Sequence, residues 1–434
     1  MAINRYITLL TLLFTIGNSN AQDYLSFYNL KDYVIQVQNI SPIYLPKNSV
    51  TFATPLNLGL DFNSNIKLND VLVEKGNLLA FDFDKLNSVA EKENLITTNI
   101  DANIFMLGFR IKKGSLTFFA NAKSNLTWQF SDNFTNVLTN GIIDSFSFSN
   151  EKFGVTGYSE IGIGITQKLF KDKIAIGLRF KSLNGIMHAE FDRNTKFSVN
   201  IDPSTFYWNV ISTNASIHTA GINNTDDFTL FGENKGFGLD LGLSYQISKK
   251  LSFDFAINDI GSINWKQSVS NYNIEDTNGA IFTGVDIVNN ESIEDAVDRI
   301  IGFTETYESF NTQLATKTFF SAKYQHSQKN IITASYFKNE NQYLETKPNY
   351  ALGYNRALER ATYGVTFGTQ GFGANFSVQL SFLQLYGAVS DVSNISSSVE
   401  ESKSANIRFG INLLFGRKNK ANQEDLKEDI DKEA

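Results

Sequence analysis

The sequence predicts an all-β chain, an antiparallel transmembrane barrel of the outer-membrane type, and three observations carry that prediction. Segment after segment alternates apolar and polar residues with a period of two, the mark of a strand apolar on one face and wet on the other. Several of these segments reach the roughly 9–11 residues of a tilted membrane strand, about twice the usual soluble strand of ~5–6. Finally, residues 1–21 read as a secretory signal. Arg5 precedes the apolar run Tyr6–Ile16, and Ser19-Asn20-Ala21 stands before Gln22. That run is too short, and ends too polar, to cross a bilayer. No later stretch approaches the ~18 consecutive apolar residues of a membrane helix. An exported chain of this kind can still be integral if it closes into a barrel, where every backbone group is paired.

The elements come in order along the chain. Residues 22–48 are polar and aromatic, and supply either a plug inserted in the barrel or a periplasmic lead-in. The barrel spans 49–415. Its first strand places Val50, Phe52, Leu56, Leu58, Leu60 and Phe62 against Thr51, Asn57, Gly59, Asp61 and Asn63. A short helix is expected over Asp84–Lys92, and near Ile104-Phe105 the apolar phase switches, which predicts a β-bulge. Leu116, Phe118, Ala120 and Ala122 alternate with Thr117, Asn121 and Lys123. A four-residue loop, Phe170–Lys173, pairs Leu169 with Ile174 and Ile165 with Leu178, which keeps the apolar residues on one face and sets Glu160 diagonal to Lys181. A second loop, Ser248–Lys250, opposes Ser244 to Asp254 and Asp240 to Asn258. Ser292–Phe310 reads as a helix, because Ser292-Ile293-Glu294-Asp295 resembles a capping box and Ile293, Val297, Ile300 and Ile301 share a face.

The last strand, Ala405–Phe415, turns Ile407, Phe409, Ile411, Leu413 and Phe415 one way and Asn406, Arg408, Gly410 and Asn412 the other. It should close the barrel against Thr51–Asn63. By this pattern a cation at Ile411 enters hydrocarbon, whereas one at Asn412 joins a polar interior. Residues 416–434 are charged and nearly free of apolar side chains, and are read as a flexible, solvated tail.

Composition narrows the function. The chain has 434 residues, no Cys, and 45 acidic against 38 basic residues. Without Cys there is no disulfide framework, thiolate metal site or lipoprotein anchor, and the mild acidity argues against nucleic acid as a partner. His188, His218 and His326 lie far apart in sequence, and only His188 has a nearby carboxylate, Glu190. A hydrolase needs a nucleophile activated by a base, so these side chains are read as polar residues of lumen or loop, and the chain as no enzyme. Asn223-Asn224-Thr225-Asp226-Asp227 is rich in oxygen but matches no cation loop. No metal or other cofactor is expected. The charges of interest are Glu160, Arg179, Lys181, Asp240 and Asp254. Because a Lys or Arg facing lipid at the midplane costs about 2–4 kcal/mol, they should point into the lumen. There they either pack the interior or form a constriction that selects solutes.

Certain residues carry a resemblance. Gly236-Phe237-Gly238-Leu239-Asp240-Leu241-Gly242, then Asn258-Asp259-Ile260-Gly261 and Ile263-Asn264-Trp265, resemble a family of uncharacterised Bacteroidota outer-membrane barrels. That family is related to the FadL fatty-acid transporters and to PorV, a barrel of the type 9 secretion system. Gly177–Gly185, Asn406–Asn412 before Phe415-Gly416, and Gln384-Leu385-Tyr386 followed by Asp391 are similar to it as well. An early Asn-Pro-Ala segment of the family is missing, and Asn39-Ile40-Ser41-Pro42-Ile43 stands in its place. The resemblance implies about fourteen strands, within the range known for such barrels. It also implies a location in the outer membrane and a role as a passive conduit or binding barrel for a small apolar compound. The alternative it offers is a structural or shuttle subunit of an outer-membrane assembly. The expected partners are outer-membrane lipid, with such a ligand or other outer-membrane proteins; a membrane-embedded hydrolase is a third reading.

Overall fold

A computed structural model describes residues 24–416, apart from 76–77, 141–144, 149–150, 193, 206, 223–231, 275, 283–302, 341, 345, 370 and 391–402. The signal segment, the tail after Gly416 and the oxygen-rich run Asn223–Asp227 therefore lie outside the described residues. Alternating residues build a closed antiparallel barrel of 14 strands. Strand β1 comes in two pieces, Val50–Ala53 and Asn57–Ser64. It is followed by β2 (Asn94–Ile111), β3 (Gly114–Phe130), β4 (Lys152–Leu169), β5 (Ile174–Phe191), β6 (Lys235–Gln246) and β7 (Leu251–Trp265). Strand β8 is again in two pieces, Phe310–Gln313 and Thr316–Gln325. The ring continues through β9 (Asn330–Glu340), β10 (Asn349–Ala357), β11 (Ala361–Gly368), β12 (Gly371–Leu380), β13 (Leu383–Ser390) and β14 (Ser404–Phe415). It closes where β14 pairs with β1, Val50 opposite Phe415 and Leu60 opposite Ile407. Closure leaves no unpaired edge, which is what lets strands cross a bilayer.

The expected registers are found. Leu169 faces Ile174, Ile165 faces Leu178, and Ser244 faces Asp254. The ladder also slips between Asn103 and Phe105. The Asp240–Asn258 pairing changes, however. Leu239 pairs with Ile260 and Leu241 with Ile257, so Asn258 and Asp259 together oppose Asp240 in a second bulge, with Asp259 at φ 61°. Along β14, Arg408, Gly410 and Asn412 are buried, while Phe409 and Phe415 are exposed on the apolar outer face.

The helix expected at Asp84–Lys92 lies at Phe83–Val89, where the Asp82 side chain accepts from the Lys85 N–H at 3.0 Å. That cap starts the helix one residue early. The helix expected over Ser292–Phe310 is corrected where it can be seen. Phe303–Thr306 is a strand paired with Val269–Ile274, and Phe310 begins β8. The β-branched and aromatic run Phe303-Thr304-Glu305-Thr306 suits a ladder once a partner strand is available. Residues 292–302 lie outside the described set.

One end of the barrel carries short turns, the start of β1 and the end of β14. The opposite end carries long connections. They hold the hairpin Leu72–Lys75 with Leu78–Phe81, the helices Phe83–Val89 and Asp132–Asn140, and a separate four-stranded sheet. That sheet is built from Thr277–Phe282, Trp208–Thr213, Lys196–Ile201 and Phe146–Phe148, over a small core at Val199 and Val210.

Residues from Tyr24 to Asn48 run through the lumen. A single helical turn, Leu25–Tyr28, and a 3-10 turn, Ile35–Asn39, are buried against the inner wall. Tyr24, Phe27, Tyr28, Leu30, Val34 and Val37 pack on Ala256, Phe319, Phe337 and Tyr386. Polar contacts fix the rest: Gln36 Nε2 donates to Asn412 Oδ1 at 2.6 Å, Thr166 to the Pro42 carbonyl at 3.0 Å, and Ser115 to the Tyr44 carbonyl at 2.6 Å. Two glycines make the close approach possible. Gly177 and Gly242 are register partners, and a Cβ on either would sit 2.5 Å from the Pro42 carbonyl oxygen or 2.8 Å from Ile43 Cγ1. These two glycines, one on β5 and one on β6, are thus seats for another stretch of backbone.

Candidate functional site: a buried charge layer beneath an apolar cluster

Four of the five singled-out charges converge inside the barrel, brought there by neighbouring strands whose inward positions share one level. Lys181 of β5 lies 2.6 Å from Asp240 of β6 and 3.8 Å from Glu160 of β4. Arg179, two positions along β5, reaches Asp240 at 3.2 Å and donates to the Gln38 carbonyl at 2.8 Å. Its guanidinium also lies 3.8 Å from the Phe119 ring centre. All four are almost wholly removed from solvent. Asp254 is equally buried but stands apart, taking Lys31 and Tyr28 of the N-terminal segment as its partners.

The hub of the layer is a residue that alternation hides. Asp259 binds Lys181, holds Lys317 of β8 at 3.0 Å, and stands 3.5 Å from Lys123 of β3. In a strict period of two, Asp259 would share the outward face with Phe255 and Ile257. The bulge inverts the phase, so Asp259 turns inward and Ile263 and Trp265 after it do the same. The cue in the sequence is the break in alternation at Asn258-Asp259. Lys123 also meets Glu160 at 3.1 Å, and Asn121 donates to Glu160 at 2.7 Å. A second centre lies on the closing strands, where Arg408 binds Asp61 and, at 3.1 Å, Asp101. Its guanidinium sits 4.1 Å from the Tyr24 ring centre.

Each buried charge here has a partner of opposite sign. Desolvation makes such pairs poor sources of net stability, yet removing one member strands the other in a dry interior. The layer also grips the N-terminal segment, because Arg179 holds the Gln38 carbonyl and Asn258 holds that of Ile40.

Toward the long connections the interior becomes apolar. Tyr158, Leu183, Ile263, Trp265 and Leu314 form a buried cluster with Phe310 against it. His188 stacks on Trp265 (ring centres 5.1 Å apart, planes at 25°), and its ring nitrogens meet Thr156 at 2.9 Å and Thr312 at 3.3 Å. Glu190 lies 3.5 Å from His188 and accepts from Tyr343 at 2.6 Å. The histidines are not all apart in space. His218 faces Glu190 in the register between Ser216–Ala220 and β5, and both His188 and His218 lie against Phe310. Strand pairing joins what the sequence separates by thirty residues. His326 stays remote, in the turn after β8. Among the described residues no group of His, Asp and Glu is arranged to hold a metal ion.

A closed antiparallel barrel with an apolar outer face and a polar, charged interior defines the class of transmembrane β-barrels. Within it, the chain belongs to the family of unknown function DUF5723, whose model matches residues 42–390. No curated protein matches it in sequence. Among solved structures it is similar to the toluene transporter TodX of Pseudomonas putida, at 10% identity and a TM-score of 0.40, over 91% of this chain and 94% of that one. It is also similar to a Pseudomonas aeruginosa FadL homologue, at 9% identity and a TM-score of 0.41, over 91% and 97%. Likenesses this distant carry no information about function.

Proposed function

We propose that this protein sits in the outer membrane with its short turns toward the periplasm, and serves there as a non-enzymatic conduit or binding barrel for a small apolar compound. The observation behind this reading is the buried cluster of apolar and aromatic side chains at the long-connection end. A barrel that passes water and ions presents a polar interior. Here Leu183, Ile263, Trp265 and Leu314 form a buried apolar cluster above the charge layer, with Phe310 packed against it and the polar His188, Thr156 and Thr312 beside it. Below the layer, the N-terminal segment occupies the lumen. Polar groups beside the cluster, such as His188 and Thr312, already satisfy one another, so they offer orientation rather than chemistry. On the short-turn side, a small surface cleft of ≈ 40 Å³ lies between Tyr33, Tyr44 and Gln384.

The test is ligand-observed NMR on the purified protein in lipid nanodiscs, with paired probes of equal size, one a hydrocarbon and one carrying a hydroxyl. Saturable binding of the hydrocarbon, weakened at least tenfold by Phe310→Asp, is expected. Equal signals from both probes, or signals that never saturate, would remove the reading. One observation favours the assembly alternative: Tyr207 and Ile211, on and beside the four-stranded sheet, are exposed beyond the barrel wall. A partner co-purifying at fixed stoichiometry in mild detergent, and lost on Ile211→Lys, would support it.

A further inference from the structure

The barrel wall is uneven above the charge layer. Ala388 of β13 pairs with Arg408, and β13 ends two positions later, at Ser390. A two-residue turn joins β11 to β12, with Gly368 opposite Gly371. On the other flank β5 continues ten positions past Lys181 to Phe191, and β4 begins eight positions before Glu160, at Lys152. The extra length of β5 over β13 makes that flank taller by roughly 20 Å, at about 3.3 Å per residue and a tilt of about 40°.

The connection between β9 and β10 leaves the wall beside the low flank and reaches across the mouth. Its Gln342 and Tyr343 meet β4 and β5, five strands away around the ring. The Tyr343 hydroxyl donates to Glu190 at 2.6 Å. Gln342 Nε2 donates to Glu190 at 3.1 Å and to the Tyr343 oxygen at 2.6 Å. The Tyr343 ring lies on Gly154, the register partner of Glu190, and the three atoms nearest to a Cβ at that glycine all belong to the ring. One cross-strand pair thus supplies a flat seat for the ring and a carboxylate for the hydroxyl. At its returning end, Thr346 donates to the Asn339 carbonyl of β9. Pro348, just before β10, brings no N–H to the ladder, and the ladder stops there.

We propose that the β9–β10 connection is a hinged strap that closes the long-connection mouth over the apolar cluster, with the Gly154–Glu190 pair as its catch. Beneath the catch the packing continues inward. Glu190 lies 3.5 Å from His188, His188 stacks on Trp265, and Trp265 belongs to the cluster. The catch suits reversible release. Hydrogen bonds to a carboxylate are stronger than neutral ones, yet Gln342 and Tyr343 keep partial exposure, so water replaces these bonds when the strap lifts. The wall, by contrast, is held by continuous ladders, and elements that move are drawn from the less stable parts of a fold. The strap follows from these contacts, whatever compound the barrel takes.

Spin labels on cysteines introduced at Lys347 and Lys266, both exposed, in a chain with no Cys of its own, report the strap's position by pulsed dipolar spectroscopy in lipid nanodiscs. The parent should give one narrow distance. Tyr343→Phe keeps the ring and removes the hydroxyl, whereas Gly154→Val crowds the ring and leaves Glu190 in place. Each should add a longer distance, raising the open fraction about tenfold, the scale of one hydrogen bond to a charged group. A cysteine at Thr312, buried beside His188, should react with an impermeant maleimide about tenfold faster in the same variants, while heat-modifiable mobility stays that of the parent. A narrow distance unchanged by both substitutions would make the connection a fixed part of the wall and overturn the proposal. A broad distribution in the parent would remove the catch. A strap that moves while labelling at Thr312 stays constant would remove the closure.

Discussion

Replacing Asp259 with asparagine is expected to destabilise the folded barrel by about 3–5 kcal/mol, the usual penalty for stranding buried charge. Asp259 is the shared partner of Lys181, Lys317 and Lys123, so its loss leaves three ammonium groups crowded around a neutral amide. Asparagine isolates the electrostatic effect. It has nearly the shape of aspartate, and it tolerates the left-handed backbone of this bulge, at φ 61°, as well as aspartate does. Alanine at the same position adds a backbone cost and should be worse. Asp254→Asn should behave differently, because Asp254 meets Lys31 and Tyr28 of the N-terminal segment rather than the layer. It should loosen that segment and leave the wall intact. Urea unfolding in detergent micelles, followed by intrinsic fluorescence and by gel mobility, separates the two. If Asp259→Asn unfolds within about 0.5 kcal/mol of the parent, the lysines are solvated and the layer does not organise the interior.

Ile411→Arg is expected to stop or strongly slow membrane insertion. Ile411 belongs to the outward face of β14, opposite Leu385 of β13, and an arginine there meets hydrocarbon at about 2–4 kcal/mol near the midplane. Strict alternation suggests Asn412→Arg as a harmless contrast, but the structure alters that expectation. Asn412 is fully buried, donating to Gln384 at 2.9 Å and to Gln36 at 3.0 Å. A larger cation at that position has neither water nor room. Asn412→Arg should therefore insert and then fail to seat the N-terminal segment, which protease would reach from the short-turn side. Pulse-labelled insertion together with protease accessibility tells the two failures apart. Equal insertion of Ile411→Arg and the parent would invert the assignment of faces.

Asp259 and Asn412 mark how far the fold is legible in the sequence. Parity of apolar residues on either side of a turn fixes a register, because a one-residue slip turns every side chain to the wrong face. The Leu169–Ile174 and Ser244–Asp254 pairings are legible for that reason. The four charges Glu160, Arg179, Lys181 and Asp240 are placed inward by the same rule and the cost of charge in lipid. Asp259 is not legible, since a bulge inverts the phase and nothing local says by how many residues. Nor does a polar face reveal whether water or protein fills the space beyond it. The contacts of Gln36 with Asn412 and of Lys31 with Asp254 join residues more than two hundred apart. His188 and His218 meet only because a long connection returns beside β5.

A lumen occupied by the chain's own residues from Tyr24 to Asn48 is the central structural claim. Ion conductance across a planar bilayer measures that occupancy. The intact protein is predicted to insert without a steady conductance. A variant with Gly177→Leu and Gly242→Leu, whose side chains displace Pro42 and Ile43 from the wall, is predicted to pass ions. A stable open conductance from the intact protein, unchanged by those two substitutions, would contradict it.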